Sequence, residues 1–98
     1  MSGTVESLYI PAQDGLDAIT VYWHNYEPGK GMVTITCWAA AWNCYFGGMC
    51  GQTIQEFFKS AGVDYLTSKL IDNQWQKMTK RHEAYLGKII RAIKAVQP

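Results

Sequence analysis

The side chains best suited to acid–base, nucleophilic or metal chemistry in this chain are His24, His82, Cys37, Cys44 and Cys50. Neither histidine has a carboxylate or a cysteine at a spacing that defines a site, so both read as hydrogen-bonded structural histidines. None of the cysteine spacings is the C-x-x-C of a metal knuckle or a redox pair, and an odd number of thiols cannot all pair within one chain. They read as reduced, buried thiols, with a single labile disulfide as the alternative. The glycines of Gly47-Gly48-Met49-Cys50-Gly51 stand ahead of a helix, where backbone amides can hold a phosphate. They lack the lysine and the spacing of a phosphate cradle, and a plain sheet-to-helix turn accounts for them. No nucleophile elbow, dinucleotide fingerprint or zincin helix is present. The expectation is a protein with no catalytic residues, no metal and no cofactor. A small hydrolase or metal enzyme survives only if groups scattered along the chain cluster in space.

Two surfaces carry more information than these groups. On the last helix, stepping about 100° per residue puts Trp75, Met78, His82, Tyr85, Leu86, Ile89, Ile93 and Val96 in one stripe. Lys77, Lys80, Arg81, Lys88, Arg91 and Lys94 fall on the other side, with Glu83 as the nearby counter-charge. Such a face tracks the phosphates of a nucleic acid, meets an acidic protein, or is simply solvated. The second surface is aromatic. Trp23, Trp38, Trp42, Tyr22, Tyr26, Tyr45 and Phe46 crowd one short region, with more ring area than one face of a three-stranded sheet buries. Most of these rings are expected to fill the core. Tyr22, Tyr26, Trp38, Trp42 and Tyr45 are the candidates for an exposed patch that anchors a protein partner.

The elements that must position these residues are legible in the pattern. Met1 to Ser7 is small and polar and is expected to fray; Leu8 to Ile10 before Pro11 makes a short edge strand. Ile19 to Tyr26 has strand content, with Ile19, Val21 and Trp23 on the better core face and Thr20, Tyr22, His24 and Tyr26 on the other. Pro28-Gly29 gives a type II turn, Gly29 supplying the positive φ, and Val33, Ile35 and Cys37 return on the matching face. The apolar run Val33 to Met49 is the floor of the core. It is short for a membrane span and carries Asn43 and paired glycines, so no membrane crossing is expected. Past Trp38 the alternation dissolves into Ala39-Ala40-Ala41, which admits close backbone approach, a bulge or a turn of helix. Thr53 and Glu56 form a capping box for a helix ended by Gly62, and Asp64 caps a second one through Leu70. Asn73 and Gln76 repeat the box and open the longest helix, Gln74 to about Val96, with Gly87 where it crosses something closely.

With 98 residues, 48% hydrophobic and 17% charged, the chain has the material for one core and not two. Residues 1–50 hold one base against four acids, and residues 51–98 hold eight bases against four acids, so the domain is dipolar around a net charge of +1. The low charge content hints at a partner or a homo-oligomer. The N-terminus shows no basic region followed by an apolar stretch, so export is not expected.

VTITCWAAAWNCYFGGM, IQEFFKSAGVDYLTSKL and KRHEAYLGKIIRAIKAVQ resemble small proteins encoded by tailed bacteriophages and prophages, over Met32 to Gln97. The resemblance carries no catalytic or binding residue across. It implies a setting, the cytoplasm of a bacterial host, where many short phage proteins bind and redirect host machinery. Together these readings give a single α+β domain, 1–98, in which a three-stranded antiparallel sheet is covered by three helices, the last longest. Its expected function is to bind a host or phage protein without catalysis, with nucleic-acid binding through the basic helix face as the alternative.

Overall fold

The computed structural model describes residues 3–13, 15–38, 40–72 and 80–97. Its elements are β1 (Thr4–Ile10), β2 (Ile19–Glu27), β3 (Lys30–Cys37), β4 (Ala40–Phe46), α1 (Ile54–Ser60), α2 (Val63–Asp72) and α3 (Lys80–Val96). The strands form one antiparallel meander in the order β1-β2-β3-β4, and the helices cover one of its faces.

The sheet therefore has four strands where the sequence pattern led us to expect three. The missed strand is β4. Cys37 and Ala40 are register partners, so the chain reverses between them, and Ala40 and Ala41 open a new strand instead of a bulge or a helix. Trp42, Cys44 and Phe46 then alternate as buried positions with the exposed Asn43 and Tyr45. That period was hidden by apolar and aromatic residues on both faces. Thr4 to Ser7, expected to fray, pair with Asn25 to Tyr22 as the first half of β1.

The type II turn is as expected. Gly29 has φ +82°, and Glu27 and Lys30 face each other across it with an ion pair of 3.0 Å. The turn is also clamped to the chain that leaves β4. Gly29 N–H donates to the Gln52 carbonyl at 3.1 Å, and Met49 N–H donates to the Gly29 carbonyl at 3.2 Å. Cys50 and Gly51, at φ 53° and 82°, reverse the chain between Met49 and Gln52, a type I′ turn that returns it over the sheet.

The helix layer is set by caps as much as by apolar contact. Thr53 and Glu56 make the expected reciprocal capping box of α1. Asn25 adds a cap from β2: its Oδ1 accepts from Ile54 N–H at 2.7 Å while its Nδ2 donates to Gln55 Oε1 at 2.8 Å. Ile54 can settle here because the residue beneath it is Gly31, where a Cβ would stand 3.0 Å from the Ile54 Cβ. The core joins Val21, Trp23, Val33 and Ile35 of the sheet to Phe58, Leu66, Leu70 and the α3 residues Leu86, Ile89, Ile90 and Ile93. On α3 the buried stripe is rotated from the expected one. Ile90 is inside, whereas His82 and Val96 are exposed, because α3 packs on α2 as well as on the sheet. Trp75, Met78 and the Asn73–Gln76 box lie outside the described residues.

Candidate functional site

The face of the sheet turned away from the helices is the most unusual surface of the molecule. Register places three rows across its four strands: Tyr9, Thr20, Thr36 and Ala41; then Ser7, Tyr22, Thr34 and Asn43; then Val5, His24, Met32 and Tyr45. Not one Lys, Arg, Asp or Glu occupies these rows. A solvated face of an antiparallel sheet is ordinarily polar and commonly charged, so this composition is not what solubility alone selects.

The rings on it are ordered. The register shifts between Asn25 and Glu27, leaving Tyr26 as the extra residue of a bulge. Tyr26 stacks on His24 with centroids 4.0 Å apart and planes tilted by 31°. It reaches over to Tyr45 of β4 at 5.9 Å, closing a cluster of three rings at one end of the face. The other end is low, with Thr20, Thr36 and Ala41 side by side on three adjacent strands. Beyond it stands Trp38, 85% exposed and at φ 57°. A bulky non-glycine residue in the left-handed region is strained by about 1–3 kcal/mol, and a ring that exposed repays little of this within the fold.

Of the five aromatic candidates, Tyr22, Tyr26 and Tyr45 lie on this face, the last two in ring contact, and Trp38 stands at its end. Trp42 does not belong with them. It is 6% exposed, pairs with Ile35 and sits in the core, because the immediate reversal after Cys37 turns it toward the helices. Tyr9, Val5 and Met32 are members the sequence pattern did not single out. The signal was there for Tyr9, in the alternation of Leu8, Tyr9 and Ile10, but so short a run carried little weight.

The basic residues are not gathered in the same way. Lys94 turns inward, its ammonium donating to the carbonyls of Phe58 and Lys59 at 2.8 and 2.9 Å and to that of Ala61. Burial lowers its pKa. Lys88 and Arg91 line a groove of about 630 Å³ between α2 and α3 that they share with Asp64 and Glu83. Lys77 and the side chains of Lys80 and Arg81 lie outside the described residues.

The remaining chemical groups do not converge. Among the described residues, no three His, Cys, Asp or Glu side chains come together as metal ligands would. Cys37 is buried and shares a hydrogen bond of 3.3 Å with the Tyr85 hydroxyl. That bond, with burial, pushes the Tyr85 pKa up to about 12. Cys44 is buried as expected, but Cys50 is exposed, since it forms the tip of the type I′ turn. Among the described residues, no helix is long and apolar enough to cross a membrane.

A family model described as "Phage family" matches residues 2–93. The chain belongs to this phage family. No curated protein and no solved structure matches it. The match takes in all four strands, the first two helices and most of α3, so the open sheet face lies wholly within the part that defines this phage family.

Proposed function

We propose that this phage-family protein acts in the bacterial cytoplasm by binding another protein, host or phage, through the open face of its sheet, and that it does so without catalysis. The observation that carries this reading is the uncharged, ring-bearing face with the strained and exposed Trp38 at its end. Tyr and Trp give large rigid contact area at low entropic cost, and they dominate the energetics of protein interfaces. Nucleic-acid binding, the alternative, needs free cations aligned on one surface. Among the described residues, Lys94 is engaged inside the protein, Lys88 and Arg91 share their groove with carboxylates, and the three rows of the aromatic face hold no cation, Lys30 beyond them being paired with Glu27.

The test is capture from phage-infected cells by tagged protein. Wild type is expected to retain a partner that Tyr22→Lys and Trp38→Ala both lose, with unchanged melting. Binding to a random oligonucleotide that falls steeply with salt and vanishes in Lys88→Glu/Arg91→Glu would replace this reading with the nucleic-acid one.

A further inference from the structure

We infer that the occupant of this face is a second copy of the chain, packed face to face about a two-fold axis that crosses the strands along the row Ser7, Tyr22, Thr34 and Asn43. The inference rests on the docking role proposed above and names its partner.

Three properties of the face carry it. The first is charge. A two-fold interface sets each patch against itself, so every charge on it confronts its own kind near the axis. These rows hold no charge, and their hydroxyl and amide groups both donate and accept, so two copies meet without repulsion. A partner recognised through complementary charge would find nothing here to read.

The second is relief. The axis through the middle row lays the first row of one copy on the third row of the other. Tyr45 then lies over Ala41 of the second copy, Met32 over its Thr36, His24 over its Thr20, and Tyr9 over its Val5. Off the axis a large side chain meets a smaller one on every strand, and on the axis Tyr22 meets the ring of its own counterpart. The pattern follows from the register alone, since Ala41 and Tyr45, Thr36 and Met32, Thr20 and His24, and Val5 and Tyr9 are equidistant from the middle row on their own strands. Aligned sheets that cross at about 30° interdigitate in this manner. The same operation brings Trp38 toward the Glu27–Lys30 ion pair of the second copy, where the indole can meet the paired ammonium. Trp38, 85% exposed in its own fold, thereby gains a partner.

The third is size. Four strands at about 4.8 Å and seven paired positions at about 3.3 Å make a plane of roughly 19 by 23 Å. That is about 440 Å² before side-chain relief, short of the roughly 600 Å² per partner at the lower end of standard interfaces, so the complex is expected to be weak. The expected complex is a micromolar dimer.

Light scattering and sedimentation over a concentration series up to about 200 μM read this directly. Wild type is expected to pass from monomer to dimer. Thr34→Lys and Thr34→Glu are each expected to raise the dissociation constant ~100-fold, because Thr34 meets its own counterpart on the axis. Their equimolar mixture is expected to pair again. Ala41→Trp, which fills the space meant for Tyr45, is expected to dissociate the dimer without any charge, and circular dichroism confirms that each variant is folded. A dimer indifferent to Thr34→Lys and Ala41→Trp, or two Thr34 variants that stay monomeric when mixed, overturns the arrangement. A wild-type monomer at the highest concentration that still captures another protein through Tyr22 and Trp38 removes the second copy and leaves the docking role standing. A monomer that captures nothing removes both.

Discussion

The Lys94 ammonium donates to the Phe58 carbonyl at 2.8 Å, tying the end of α3 to the last turn of α1. The Lys59 and Ala61 carbonyls complete its set, so one side chain satisfies several of the acceptors that a helix C-terminus leaves open. Helix α1 has seven residues, too few to hold together alone, and its other end depends on Asn25 in β2. A residue that by sequence looks like part of a phosphate-binding face is thus a clamp between helices. Lys94→Met, which keeps the aliphatic stem and removes the donors, is expected to cost about 2 kcal/mol, read as a lower urea midpoint at unchanged slope. A loss under about 0.5 kcal/mol would count against the clamp.

Gly31 tests how closely α1 approaches the sheet. A Cβ there would stand 2.9 Å from the His24 carbonyl oxygen and 3.0 Å from the Ile54 Cβ, neither of which can swing aside. Gly31→Ala is expected to destabilise the fold by about 1–3 kcal/mol, seen as a lower melting temperature.

At the turn before it, Gly29→Val meets two obstacles. The residue sits at φ +82°, and its Cβ would lie 3.0 Å from Gly51 N, in the segment the turn is clamped to. The expected result is a loss of several degrees in melting temperature, together with weakened hydrogen-exchange protection at the Gly29 and Met49 amides.

The alkaline limb of stability is expected to report Tyr85. Its hydrogen bond with Cys37, then burial, raises its pKa to about 12 from the ordinary 10.0. The unfolded chain thus releases this proton first, and the folded form holds more protons between those two values. The contribution of Tyr85 is complete below pH 10 and is lost as pH rises toward 12. Tyrosinate absorbance is expected to show a late-titrating component in wild type that Tyr85→Phe removes, with a shallower alkaline loss of stability in the variant.

The thiols separate by exposure. Cys50 is open while Cys37 and Cys44 are buried, so a maleimide under native conditions is expected to label one thiol rapidly and two only on unfolding. Cys50→Ser is expected to abolish the fast phase. Three fast thiols would mean that the core near Cys37 opens readily.

What could be learned from the residues alone was whatever short-range chemistry dictates. Pro28-Gly29 between two β-branched runs requires a hairpin, since proline presets one φ and glycine permits the positive one that follows. Thr53 and Glu56 require a helix start, because their side chains satisfy each other's backbone donors. Ile19, Val21, Trp23, Val33, Ile35 and Cys37 identify the inner face by period two. What tertiary structure decided was every matter in which one face competes with another or a long side chain chooses its destination. Trp42 and Tyr45 are aromatic neighbours in one apolar run, and only the reversal between Cys37 and Ala40 sends the first into the core and the second to the open face. Lys94 has the period of a solvated base, and only the nearness of the α1 C-terminus draws it inward, where unpaired carbonyls compete successfully with water. Likewise the open face exists as a surface only once β1 and β4 flank the hairpin, because its rows are made of residues far apart in sequence that only pairing aligns.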